Sequence, residues 1–156
     1  MSEAEALAAL RGADRARIAQ AEAALWAMWC RSGRPEHDAL LAKGLAALER
    51  SDFAEALTVF TRLVEAAPDW AEAWNKRATA RYLARDFAGS IADCEATLAR
   101  KPHHFGALSG QGLCHLALEQ YSQAAALFRR ALAVHPALAP VRANLQAALA
   151  EVVKYN

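Results

Sequence analysis

Apolar residues recur along this chain at helical spacing, and the breaks between the apolar stretches fall on a fixed period. Phe53, Phe87 and Tyr121 stand 34 residues apart, as do Pro68, Pro102 and Pro136. Gly44, Ala78 and Gly112 hold one small slot in the same phase, and Ala56, Ser90 and Ala124 hold another. Phe60, Cys94 and Phe128 fall four residues after that second slot. Between these marks the pattern predicts pairs of amphipathic helices: about 37–49 with 53–66, 71–84 with 87–100, and 105–118 with 121–134. The turns are short, Ser51-Asp52 and Arg85-Asp86 in the first two pairs, so the helices of each pair are antiparallel.

Residues 3–32 read as one long helix ahead of these pairs. Leu7, Leu10, Ile18, Leu25, Trp26 and Trp29 supply its apolar stripe, Ser2 can cap it, and Ser32-Gly33-Arg34-Pro35 ends it. This helix is expected to cover the open edge of the first pair. Pro140 suits the first turn of a last helix at about 139–154, where its missing N–H costs little. Arg142, Gln146 and Lys154 mark that helix as a solvating cap. The prediction is an all-α chain of about seven helices forming a single domain over residues 1–156.

A 34-residue period with small, aromatic and proline positions in phase belongs to tetratricopeptide arrays. The chain resembles that family, with repeats at about 35–68, 69–102 and 103–136. The ALW-x-MW-x-x-SG opening and the AEAWNKRAT and HHFGALSG segments are similar to a subgroup of small bacterial tetratricopeptide proteins, some of which carry an export signal. The resemblance implies a right-handed α-solenoid with an N-terminal covering helix and a C-terminal cap. It implies that the first helix of each repeat lines a concave face, where such proteins hold an extended or helical peptide. The matching positions are Leu41, Leu45 and Leu48 in repeat one; Glu72, Asn75, Lys76, Thr79 and Tyr82 in repeat two; and Ser109, Gly110 and Leu113 in repeat three. One subgroup of the family grips a C-terminal carboxylate with Lys and Asn in repeat one and Lys and Arg in repeat three. Those positions are Leu41, Leu45, Gly106 and Gly110 here, so binding of chaperone tails in that manner is not expected. Phe53, Phe87 and Tyr121 are expected to be largely buried at the inter-helix corners.

Three features depart from the family pattern. Lys43, Arg77 and Gln111 stand where the family carries an apolar core residue. Arg77, Arg81 and Arg85 share one helix face at i, i+4, i+8, and like charges there repel unless paired. They read either as partners of carboxylates such as Asp93, Glu95 or Asp86, with Asp93 the first candidate for Arg77, or as a strip for an acidic partner. Gly106, Gly110 and Gly112 crowd one helix at a cost of about 1 kcal/mol each relative to Ala. Gly112 is the small slot; at Gly106 and Gly110 either another helix or a ligand packs on the bare backbone.

Charge narrows the function classes. The formal net charge is +1, which leaves no global footprint for nucleic acid. The longest apolar runs are far below the roughly 18 residues of a membrane span, and Glu3 and Glu5 occupy the place of a basic leader region. The chain therefore reads as cytoplasmic by default, or periplasmic had a leader been removed. Cys30, Cys94 and Cys114 show no disulfide or zinc spacing, and Cys94 reads as a small buried residue. His103 and His104 read as loop and helix-start residues, and His115 as a core-facing histidine. No phosphate loop, dinucleotide fingerprint or nucleophile elbow occurs. The chain reads as non-catalytic, without metal or cofactor. Two functions fit: an adaptor holding a protein or peptide partner, with an acidic residue meeting Lys76, and a structural or self-associating, homo-oligomeric scaffold subunit; the chain is expected to be a monomer or a weak homodimer.

Overall fold

A computed structural model describes residues 1–155, with side chains to residue 154. Nine helices and no strand occur among the described residues: α1 (Glu3–Ala9), α2 (Arg15–Trp29), α3 (Pro35–Glu49), α4 (Phe53–Ala66), α5 (Ala71–Leu83), α6 (Phe87–Arg100), α7 (Phe105–Ala117), α8 (Tyr121–Val134) and α9 (Ala139–Tyr155). No described helix is long and apolar enough to cross a membrane. The elements predicted one by one number eight, a long helix, six repeat helices and the cap; the ninth arises because the segment 3–32 is a helical hairpin rather than one helix.

The hairpin follows from local chemistry at Arg11-Gly12-Ala13-Asp14. The Asp14 carboxylate accepts from the backbone N–H groups of Ala16 and Arg17, so it starts α2 as an N-cap. At the other end Ser2 and Glu5 form a reciprocal capping box for α1. The apolar stripe predicted for one helix is therefore carried by two, which face each other through Ala6, Leu10, Ala21 and Leu25.

The repeat pairs form as the period predicts. Each turn holds one residue in the left-handed region, Ser51, Arg85 and Glu119 at φ 59°, 65° and 58°, again 34 apart. Asp52 and Asp86 then cap α4 and α6 by accepting from the N–H groups of Glu55 and Gly89. Helices stack in chain order from α3 to α9. In addition α5 packs on α7 and α7 on α9, with no comparable pairing of α4 with α6 or α6 with α8. The odd-numbered helices thus line the concave side.

The small slots work by direct ring contact. A Cβ at Gly44 would lie 2.2 Å from the Phe60 ring, and one at Gly112 would lie 2.5 Å from the Phe128 ring. Both rings are fully buried. Repeat two replaces the Gly–Phe pair with Ala78 and Cys94, both buried. By contrast Phe53, Phe87 and Tyr121 are only half-buried, less than the large burial expected of them. They open the second helix of each pair beside the turn; Arg85 lies over the Phe87 ring at 5.4 Å and Tyr82 packs against it.

The polar departures resolve separately. Arg77 makes two 2.9 Å hydrogen bonds to Asp93, and Arg81 makes one of 3.0 Å to the same carboxylate. Asp93 is buried, so these two arginines form a paired cluster rather than an anion strip. Lys43 is exposed beside Glu55, and Gln111 is buried. His115 is half-buried at the end of α7, where its Nδ1 meets the Gln120 side chain at 2.6 Å, and is not a core residue.

Candidate functional site: the concave groove

The groove has two halves with different fates. The α1–α2 hairpin does not cover the edge of repeat one. It lies across the starts of α5, α7 and α9, where Ala21, Leu25 and Trp29 share a core with Phe105, Val134 and Leu138. The Trp70 indole donates to the Trp29 carbonyl at 2.8 Å, and the Trp29 indole donates to Glu3 at 2.9 Å. Glu3 also bonds Lys101, and Glu22 bonds His135 at 2.9 Å.

Under this hairpin sits a buried polar cluster that sequence reasoning did not find. His104 caps α7: its Nδ1 accepts from the Ala107 N–H at 3.0 Å. That leaves the proton on Nε2, which donates to Glu72 Oε2 at 2.9 Å. Asn75 donates to the other Glu72 oxygen at 2.8 Å, and Lys76 Nζ lies 3.2 Å from it. Burial by itself would push the Glu72 carboxyl up. The hydrogen bond from His104, reinforced by the Lys76 ammonium and the hydrogen bond from Asn75, outweighs it and holds Glu72 below the usual carboxylate range. Trp29 stacks on the His104 ring at 4.3 Å, Trp26 meets its edge at 5.5 Å, and Lys76 sits 5.3 Å above the Trp26 ring. The signal for this cluster was the spacing of Glu72 and His104 at neighbouring helix starts, legible only with the groove geometry in hand.

Several predicted groove residues are thereby withdrawn from direct contact. Glu72 is fully buried, Leu41 and Asn75 nearly so, and the Lys76 side chain is 18% exposed and already paired. At Gly106 the bare backbone receives the hairpin itself, since a Cβ there would come within 2.8 Å of the Trp26 ring.

The other half of the groove remains open. Thr79 is exposed, and Leu45, Leu48, Tyr82, Ser109, Gly110 and Leu113 are half-exposed. Between α5 and α7 lies a cavity of about 130 Å³ lined by Asn75, Thr79, Tyr82, Cys94, Gly110 and Leu113, with Ala78 and Ser90 beneath. A Cβ at Gly110 would meet only Cys94 Sγ, at 3.8 Å. Burial and the nearby Cys114 and Asp93 push the Cys94 thiol up to about 12, so the floor is neutral. Cys30, Cys94 and Cys114 are all free, and no group of His, Cys, Asp or Glu among the described residues is arranged to hold a metal.

Residues 41–105 and 77–143 each match the tetratricopeptide repeat family model. The chain belongs to the tetratricopeptide repeat family. Within it, a TPR repeat-containing protein of Rhizobium etli is 35% identical over 82 residues, 53% of this chain and 40% of that protein. The Hsp70-Hsp90 organizing protein of Triticum aestivum is 31% identical over 108 residues, 69% of this chain and 19% of that protein. The chain thus spans less than half the length of these curated relatives. Among solved structures, the Sgt2 TPR domain of Aspergillus fumigatus superposes with a TM-score of 0.75 at 21% identity, over 79% of this chain and 83% of that one. The first TPR of Spaghetti, solved bound to an HSP90 peptide, gives 0.73 at 22% identity over 75% and 93%. At these identities the likeness is one of tetratricopeptide fold.

Proposed function

We propose that the chain is a non-catalytic interaction module that holds a peptide segment of a partner protein in the open half of the groove. The observation that carries this reading is the division of the concave face: one half is filled by the chain's own hairpin, and the other keeps a cavity bounded by Thr79, Tyr82, Gly110 and Leu113. Leu45 and Leu48 extend that surface as an apolar wall. The HSP90 peptide in the Spaghetti structure supports peptide binding in kind. It does not transfer in detail, because the carboxylate-gripping positions are Leu41, Leu45, Gly106 and Gly110.

The partner envisaged here differs from one that brings an acidic residue to Lys76. That ammonium is already neutralised by Glu72 and shielded by Trp26, so recognition rests on apolar burial and on hydrogen bonds to backbone. Affinity should then vary little with salt. Selection of short random peptides on the immobilised chain tests the reading. Selected peptides should lose about tenfold or more in affinity for a Thr79→Arg, Tyr82→Ala variant. Unchanged affinity would place binding elsewhere on the surface.

A further inference from the structure

We infer that the cavity between α5 and α7 is a socket for one uncharged aliphatic side chain, of Leu, Ile or Met size, projecting from the bound partner segment. The inference rests on the groove reading above and specifies what that groove selects.

The socket arises from two reductions in side-chain size that meet at one point, at Cys94 and at Gly110. Repeats one and three fill the space beside the small slot with Phe60 and Phe128, each pressed on a glycine. Repeat two carries Cys94 there, opposite Ala78. Gly110, on the neighbouring helix, adds no atom to close the gap, and its own helical cost is not offset by any close contact. At Gly106, one turn earlier, the same bare backbone is occupied by the Trp26 ring of the hairpin. The chain itself thus shows how this face accepts an apolar group, and the socket lies one helical turn further along the same face.

Charge and size set the occupant. Every cation near the socket is matched: Lys76 by Glu72, and Arg77 and Arg81 by Asp93. The floor thiol is neutral, and Ser90 Oγ is committed to the Ala78 carbonyl at 2.7 Å. A charged side chain entering here would lose its hydration without a counter-ion. A cavity of about 130 Å³ is close to the roughly 150 Å³ that holds benzene in an apolar protein core, which suits one aliphatic side chain and excludes an indole.

The probe is a library of short random peptides selected on the wild-type chain and then measured against Gly110→Leu, which fills the socket from a helical position that has room for it. The selected sequences should share one fixed Leu, Ile or Met, and Gly110→Leu should weaken them about tenfold or more. Gly110→Ala, a smaller filling, should give an intermediate loss, and thermal melts of both variants should be no lower than wild type. Peptides that keep full affinity for both variants yet lose it in Thr79→Arg, Tyr82→Ala would overturn the socket and leave the groove reading standing. A fixed acidic or aromatic residue in place of the aliphatic one would also overturn it. Peptides indifferent to every variant, or no selected peptide at all, would overturn both.

Discussion

His104 and Glu72 face each other at 2.9 Å across two neighbouring repeats, and neither side chain reaches solvent. The pair ties the start of α7 to the start of α5, directly beneath the two tryptophans of the hairpin. Because His104 Nδ1 is committed to the Ala107 N–H, a neutral imidazole already satisfies both ends of the contact. The cluster is thus a structural joint between the repeat array and its N-terminal cover.

Acid should loosen this joint. The folded-state pKa of Glu72 is held below its ordinary 4.5, so its contribution is complete above that value and is lost as pH falls through the folded value. Urea melts at neutral pH should place Glu72→Gln about 1–3 kcal/mol below wild type, the cost of an imperfectly satisfied buried group. The gap should shrink as pH is lowered below about 4.5. A gap that stays constant into acid would show that Glu72 does not carry the titration.

Asp93 serves two arginines, so removing it should cost more than removing either one. Asp93→Ala should destabilise by about 3–5 kcal/mol, since it strands two cations with little access to water. Arg77→Met in the Asp93→Ala background should cost much less than Arg77→Met alone. A double-mutant cycle in urea reads the coupling, and strict additivity would refute the pairing.

Aromatic burial ranks the repeat positions. Phe60→Ala and Phe128→Ala should each cost about 3–5 kcal/mol, because both rings are fully enclosed. Phe87→Ala should cost about 1–2 kcal/mol, as only part of its surface leaves water. Equal losses at Phe87 and Phe128 would show that the corner ring is more enclosed than it stands here.

Two glycines two residues apart should respond to alanine with opposite signs. Gly112→Ala drives a Cβ into the Phe128 ring at 2.5 Å and should cost about 1–3 kcal/mol through overpacking. Gly110→Ala meets only Cys94 Sγ, at an ordinary contact distance of 3.8 Å, and should gain about 1 kcal/mol from helix propensity. Thermal melts of the two variants decide this directly.

The hairpin is held by its apolar core rather than its rim charges. Trp29→Ala should cost about 3–5 kcal/mol and expose the groove beneath to hydrogen exchange. Lys101→Ala, which breaks the half-exposed pair with Glu3, should cost under about 1 kcal/mol. A reversal of that order would make Glu3–Lys101 the clasp.

The repeat architecture was legible in the sequence because it is made of local events. A 34-residue period sets where the chain turns, and the left-handed residues Ser51, Arg85 and Glu119 and the caps Asp52 and Asp86 act within a few positions of themselves. The Arg77–Asp93 pair was legible for a related reason, since antiparallel helices in a fixed register bring those positions together. The reversal at Gly12 is also local, marked by the Asp14 cap, although helical periodicity runs through it with little contrast. What the tertiary structure alone decided was the docking of the resulting hairpin. The docking position depends on the hairpin's fit to Phe105, Val134 and Leu138, all of them far along the chain from it, and a one-dimensional pattern carries no record of such complementarity. That docking buries Glu72 and His104, pairs Lys76, fills the bare backbone at Gly106 and leaves the one at Gly110 open.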